Sequence, residues 1–96
     1  MYPRLSEAER TAMAKRLKAA RYMAELTMRE AASRLGVNLT SITQWESGTL
    51  PVPKSRQRLA ELYGVAETTL FAEVAAHIEA AKALLAADEA PIERSA

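Results

Sequence analysis

The chain has 96 residues and a mass of 10.5 kDa, a length that supports one ordinary domain rather than two independent cores. Hydrophobic residues make up 49% and charged residues 26% of it, which is typical of a folded globular protein. The absence of cysteine excludes disulfides, thiolate nucleophiles and cysteine-ligated zinc. Since no apolar run is long enough for a membrane span or a signal peptide, we expect a soluble, intracellular (cytoplasmic) protein.

The net charge of +1 conceals a division between two parts of the chain. Residues 1–58 carry eleven Lys or Arg against five Glu, a net charge of +6. Residues 59–96 carry two basic against seven acidic residues, a net charge of −5. The basic part is suited to face a polyanion, although a mixed solvated surface would also account for these charges.

Helix-starting and helix-ending residues divide the chain in order. Ser6 with Glu9, and Thr27 with Glu30, have the reciprocal spacing of a capping box and predict two helix starts. Asparagine and proline suit the first turns of two further helices, and each glycine follows a helical pattern. These residues are Asn38, Pro53, Gly36, Gly48 and Gly64.

The predicted fold class is all-α, because apolar residues recur at helical spacing and no segment alternates as a strand would. The five predicted helices span about residues 6–24, 28–35, 39–47, 53–63 and 67–87. Residues 88–96 contain Pro91 and no apolar periodicity, and are predicted to form a flexible tail.

Residues 27–48, TMREAASRLGVNLTSITQWESG, have the order of a helix-turn-helix: a short capped helix, a turn and a second short helix. Two adjacent alanines in the first helix let the second cross closely, and Gly36 permits the tight turn. Ile42 is expected to fill the angle between the two helices.

The second of these helices has an inner and an outer face. Ile42 and Trp45 point inward, whereas the opposite side carries uncharged hydrogen-bonding residues. These residues are Thr40, Thr43, Gln44 and Ser47. A glutamine amide can bond to an adenine edge in the major groove, and a threonine methyl or Leu39 can contact the methyl of thymine. This face is suited to base recognition, although Thr and Gln on a solvated helix need no function.

With these motifs the chain resembles the lambda-repressor-like (Cro-type, Xre) helix-turn-helix DNA-binding domain of bacterial and phage transcriptional regulators. The resemblance spans about residues 16–71. The string GVNLTSITQWESG is similar to the family's turn and recognition helix, and RLAELYGVAETTLF is similar to its fourth helix and the start of its fifth. The resemblance implies a five-helix DNA-binding domain over residues 1–71 with an extended C-terminal helix. It also implies that the protein regulates transcription, in the first place as a repressor.

The resemblance also implies roles for particular residues. The residues expected to face base edges are Leu39, Thr40, Thr43 and Gln44. Arg21 and Glu46 are expected to form a buried ion pair that holds the recognition helix on the scaffold, since an unpaired carboxylate beside DNA and a helix C-terminus would be doubly unfavourable. The chain departs from the family at Met28, where a Gln often braces the motif, and at Ala66, where a Ser or Thr usually caps the fifth helix.

Phosphate contacts are expected at the two ends of this footprint. The start of the second helix offers unpaired amides, and the loop after the third helix adds basic and hydroxyl groups. The expected phosphate-contacting residues are Thr27, Arg29, Ser47, Lys54, Ser55 and Arg56.

Residues 72–87 form a C-terminal extension with a heptad-like seam. Apolar residues recur at alternating spacings of three and four, at Phe71, Val74, Ile78, Ala81 and Leu85. The seam predicts a homodimer that places two recognition helices about one turn of DNA apart, roughly 34 Å, on an inverted-repeat operator. Packing of the stripe on the chain's own core is the alternative.

Enzymatic activity is the least supported class of function. The sole histidine is His77, the sole aspartate is Asp88, and no glycine-rich phosphate loop is present. We therefore expect no catalytic site, cofactor, metal or small-molecule ligand, and interpret His77 with Glu73 as a surface pair. The remaining alternative to a DNA-binding regulator is a protein-interaction module, such as an antitoxin or adaptor, in which DNA binding is autoregulatory or absent.

Overall fold

A computed structural model describes residues 4–94, with side chains described up to residue 87. Its helices are α1 Glu7–Met23, α2 Met28–Leu35, α3 Leu39–Trp45, α4 Pro53–Tyr63, α5 Glu67–Leu70 and α6 Ala72–Arg94. The all-α class is confirmed, and the described part contains no strand. Within that part, no helix is both long and apolar enough to cross a membrane.

Both predicted capping boxes are present. The Ser6 N–H donates to Glu9 Oε1 at 2.8 Å and the Thr27 N–H donates to Glu30 Oε1 at 2.9 Å, while each hydroxyl accepts from the backbone of its partner glutamate. These backbone hydrogen bonds lower the pKa of Glu9 and of Glu30. The caps therefore define where α1 and α2 begin.

The hydrophobic core lies among α1, α2, α4, α5 and the start of α6. Its most buried residues are at most 2% exposed, and α3 contributes one of them, Ile42. They include Met13, Leu17, Ala31, Ile42, Leu59, Leu70 and Phe71. Burial on this scale fixes the short helices α2 and α3, which would be marginal in isolation.

The predicted fifth helix is two helices in the structure, separated at Phe71. The backbone of this residue, at φ −118° and ψ 52°, leaves the helical region, and its side chain is 2% exposed. The Arg16 guanidinium donates to the Leu70 carbonyl at 3.1 Å, which satisfies a carbonyl that the interruption leaves unpaired. No glycine or proline marks this position, where a side chain of α1 bonds to the interrupted backbone.

Two polar contacts attach the start of α6 to α1. Arg16 donates to both carboxylate oxygens of Glu73 at 2.9 Å, and this pairing lowers the pKa of Glu73. His77 Nε2 lies 3.1 Å from Glu9 Oε2. The expected surface pair of His77 with Glu73 is therefore replaced by two contacts across helices. Within the described residues, no group of three potential ligand side chains is arranged to hold a metal ion.

The heptad-like seam is divided between the core and the surface. Phe71 and Val74, at 2% and 4% exposure, pack in the chain's own core, so their expected place in a dimer interface is corrected. Ile78, Ala81 and Leu85 lie on the exposed part of α6. The helical backbone continues past residue 87 to Arg94, and the flexibility of residues 88–96 stays a prediction.

Candidate nucleic-acid interface

The helices α2 and α3 pack as the helix-turn-helix pattern predicts. Gly36 ends α2 in the left-handed region at φ 68°, and the Val37 N–H donates to the Ala32 carbonyl at 3.0 Å. Ala31 is fully buried and Ile42 is 1% exposed. The small alanine side chain allows α3 to pack close to α2, and Ile42 fills the space between the two helices. This packing sets the direction in which α3 presents its outer face.

That outer face is exposed along its whole length. Thr40, Thr43, Gln44 and Ser47 are exposed, and Leu39 is 37% exposed. The Thr43 hydroxyl donates to the Leu39 carbonyl at 3.2 Å and the Ser47 hydroxyl donates to the Thr43 carbonyl at 2.8 Å, whereas no hydrogen bond within the described residues occupies the side chains of Thr40 and Gln44. Thr43 and Ser47 thus keep acceptor capacity, while Thr40 and Gln44 offer donors and acceptors.

A buried ion pair anchors the end of α3 to the scaffold. Arg21 Nε lies 2.7 Å from Glu46 Oε2 and Arg21 Nη2 lies 2.9 Å from Glu46 Oε1. Each side chain is 5% exposed. The arrangement is bidentate, and the hydrogen bond to Glu46 raises the pKa of Arg21. The structure thus brings together the two residues that the resemblance paired.

The surroundings of this pair complete its hydrogen bonding. Arg21 Nη1 donates to the Leu26 carbonyl at 3.0 Å, so the guanidinium also holds the loop between α1 and α2. The guanidinium carbon lies 4.8 Å from the centre of the Tyr22 ring. Desolvation and the Glu46 charge raise the pKa of Tyr63 to about 12. The negative charge of Glu46 is therefore balanced inside the protein by Arg21.

The expected phosphate-contacting residues lie mostly at the starts of α2 and α4, and those of α2 share a hollow with Leu39. Thr27 and Arg29 are exposed at the start of α2, where unpaired amides of the first turn accompany them. Lys54 is exposed and Ser55 half-buried in the first turn of α4, which has no side-chain cap. Both helix starts therefore combine a cationic side chain with backbone donors.

Arg56 is buried, which corrects the expectation that it contacts a phosphate. It is 6% exposed, and its Nη1 donates to the Pro51 carbonyl at 2.7 Å. Its Nε is buried with no hydrogen-bond partner among the described residues. The side chain therefore holds the loop before α4. Arg56 lies three residues before the buried Leu59 and seven before the buried Tyr63, so helical periodicity places it on the inner face of α4, whereas Lys54 is exposed.

Two arginines that carried no sequence signal lie beside the end of α3. Arg4 and Arg10 line an open hollow of about 420 Å³ together with Ser47 and Thr49. A Cβ placed on Gly48 would lie 3.4 Å from the Arg10 Cβ, which shows how closely α1 approaches this loop. Only the fold brings these cations to the recognition helix.

An exposed polar helix, held by a buried ion pair and accompanied by cationic helix starts, is typical of a DNA-binding helix-turn-helix domain. The comparison with known families agrees, since residues 14–75 match the model described as a helix-turn-helix domain. This match covers well over half of the chain, which therefore belongs to the helix-turn-helix domain family. Domains of this family are typically non-enzymatic. No curated protein and no solved structure matches the chain.

Proposed function

We propose that the protein is a sequence-specific regulator of transcription of the lambda-repressor-like (Cro-type, Xre) class, which represses by binding an inverted-repeat operator in double-stranded DNA as a homodimer. The observation that carries the proposal is the outer face of α3, which presents unoccupied polar groups on a helix locked by the Arg21–Glu46 pair. A rigid reading helix loses little conformational entropy when it binds. The cytoplasm is the location that this function implies.

Base recognition is assigned to Leu39, Thr40, Thr43 and Gln44. Gln44 can both donate to and accept from an adenine edge, and Thr40 offers a hydroxyl and a methyl in the same groove. Thr43 donates internally to the Leu39 carbonyl, and in that rotamer it presents an acceptor and a methyl group. These chemistries favour sites rich in A·T pairs.

Phosphate contacts are assigned to Thr27 and Arg29 at one end, and to Ser47, Lys54 and Ser55 at the other. The N-terminus of α2 supplies backbone amides that can donate to a phosphate, and the charge of Arg29 adds an attraction that does not depend on the DNA sequence. Arg4 and Arg10 extend the positive surface around Ser47. Such contacts orient the recognition helix without carrying sequence information.

The homodimer is assigned to the exposed part of α6. Ile78 and Leu85 are 47% and 65% exposed, with Ala81 between them, so an apolar stripe of this helix is open to solvent. A second copy of the same stripe would cover it and place the two recognition helices on one side of the DNA. The same exposed stripe would suit a different protein partner, as in an antitoxin, and this is the second candidate function.

Selection of bound duplexes from random DNA tests the recognition face. We expect a palindromic consensus, and Gln44→Ala should cost about 1 to 3 kcal/mol at one position in each half-site, with relaxed preference there. The matched control is Gln57→Ala, which removes an exposed glutamine of α4 beside Gly64 and Glu67. An identical consensus and affinity for Gln44→Ala would contradict the assignment of α3 as the reading helix.

Sedimentation tests the dimer. Ile78→Asp places a charge in the apolar stripe and should halve the sedimenting mass, because an unpaired charge in an apolar interface is costly. Ala83→Asp, on the other side of α6 and also exposed, serves as the control and should leave the mass unchanged. A dimer that survives Ile78→Asp would refute this interface, and a wild-type monomer that forms a complex with another protein through α6 would favour the second candidate.

A further inference from the structure

An open hollow of about 710 Å³ lies where the end of α1, the start of α2 and the first residue of α3 meet. Leu26, Met28 and Leu39 supply apolar side chains to its wall. Leu26 and Met28 are half-buried and pack against the core, so this part of the wall is already formed in the protein alone. Leu39 is 37% exposed and lies at the edge nearest the recognition face.

The position of the hollow ties it to the DNA-binding surface. Thr27 and Arg29, to which a phosphate contact is assigned, line the same hollow as Leu39, to which a base contact is assigned. When α3 lies in the major groove, the hollow therefore opens between a backbone phosphate and the edges of the bases next to it. A hollow so placed is continuous with the recognition face.

The chemistry of the major groove limits what can fill an apolar hollow there. The base edges present hydrogen-bond donors and acceptors, and the one apolar group among them is the C5 methyl of thymine. Placing a polar base edge against Met28 and Leu39 would leave its donors or acceptors unpaired, whereas a methyl group gains by leaving water.

The charges around the hollow fit a nucleic acid better than an apolar segment of protein. Arg29 lines it, and Lys18 Nζ lies 5.8 Å from the centre of the Tyr22 ring, which also lines it. Glu25 contributes a carboxylate to the same wall, while the charge of Arg21 is paired with Glu46. An anionic strand beside these cations would hold the adjoining base edge against the apolar wall.

We propose that Met28 and Leu39 form a site for the 5-methyl group of a thymine in each operator half-site, which makes Met28 a specificity-determining residue. This inference rests on the proposed function, because it needs α3 in the major groove. It differs from the contacts assigned to Thr40 and Gln44 in that the discriminating residue lies on α2.

Replacement of thymine by deoxyuridine isolates this methyl group, since it removes the methyl and keeps every hydrogen-bonding group. The probe is the duplex recovered by the selection described above, resynthesised with one thymine of each half-site replaced at a time. We expect one position to lose about fourfold in affinity per half-site, which corresponds to the removal of one buried methyl. That position should lie at the end of the half-site nearest the Arg29 phosphate.

Variants then identify which side chain receives the methyl. The Met28→Gln variant should bind the thymine and deoxyuridine duplexes with equal affinity when that position is changed, because the polar glutamine makes the wall of the hollow less favourable for a methyl group. Met23→Gln is the matched control: Met23 is 86% exposed outside the hollow, and the variant should keep the wild-type fourfold difference. Met28→Ala, which introduces no polar group, should also abolish the difference, and circular dichroism checks the fold of each variant.

The outcomes separate this proposal from the one on which it rests. Failure of the selection to recover any bound duplex would overturn both. Normal binding of the unmodified duplex with equal affinity for every deoxyuridine duplex would overturn the methyl site alone. A fourfold difference that persists in Met28→Gln and Met28→Ala would place the methyl against another residue and would also overturn it.

Discussion

Residues 4–77 and residues 78–87 of α6 belong to one chain but are stabilised in different ways. In the first region every helix contributes a buried side chain, and ion pairs cross between helices at Arg21 and at Arg16. In the second region every residue is exposed, and the one ion pair among the described residues joins Lys82 to Glu79 at 3.7 Å within the same helix. Tertiary packing specifies the first region, and helix propensity maintains the second.

This difference teaches where function can reside in so short a chain. Helix α3, to which base recognition is assigned in the proposed function, has seven residues, too few to be stable alone, and it depends on the packed region for its shape. The outer part of α6 is rich in alanine and forms a helix without burying anything, so its apolar stripe remains available to a partner. One region is therefore suited to precise positioning and the other to association.

The largest expected effect is in the packed region, at Arg21. Arg21→Ala leaves the Glu46 carboxylate buried without its partner, and we expect a loss of about 3 to 5 kcal/mol in the free energy of unfolding. Urea denaturation at pH 7 measures it. Arg58→Ala removes an exposed arginine of α4 and should change the same quantity by less than about 0.5 kcal/mol. Equal midpoints for Arg21→Ala and wild type would contradict the anchoring role of the pair.

A pair of leucines compares the two regions directly. Leu70→Ala removes a fully buried side chain, and a loss of about 2 to 4 kcal/mol in stability is expected from the cavity that it leaves. Leu84→Ala removes a side chain that is 69% exposed and should change stability by less than about 0.5 kcal/mol. Thermal unfolding should be recorded at a protein concentration at which sedimentation shows monomer. Similar losses for both variants would mean that residues 78–87 pack on the core after all.

Much of the packed region could be predicted from the sequence because its signals are local. Hydroxyl and carboxylate residues three positions apart start α1 and α2, and Gly36 ends α2 in a conformation that glycine favours. The alternation of buried and exposed positions along α3 likewise follows from helical periodicity. The partnership of Arg21 with Glu46 came from the resemblance to a family, because nothing local joins residues 25 positions apart.

The features that the sequence did not reveal are contacts between distant residues. Arg16 bonds to Leu70 and Glu73, 54 and 57 positions away, on either side of the helix interruption at Phe71. His77 meets Glu9 across 68 positions. Arg56 shares a helical face with the buried Leu59 and Tyr63, but the hydrogen bond from its guanidinium to the Pro51 carbonyl was not predicted from the sequence. Periodicity places a residue on a face but does not say which other helix that face meets.

The ion pair at the start of α6, within the packed region, gives the smallest effect and a characteristic pH dependence. Glu73→Gln removes the carboxylate that pairs with Arg16, and since the two side chains are 13% and 33% exposed we expect a loss of about 1 kcal/mol at pH 7. The control Glu79→Gln changes a carboxylate that is 75% exposed and should have no measurable effect.

The sign of the pH dependence follows from the lowered pKa of Glu73 in the folded state. Its carboxylate stabilises the fold above the ordinary value of 4.5, and this contribution is lost as the pH falls through the lower folded-state pKa, because the unfolded chain then binds the proton more readily. Glu9 and Glu30 share this direction, so wild type and Glu73→Gln both lose stability in acid. The difference between them, measured by urea denaturation from pH 7 to pH 3, should shrink below about pH 4.5. A difference that stays constant down to pH 3 would show that the Arg16–Glu73 contact does not depend on the charge of the carboxylate.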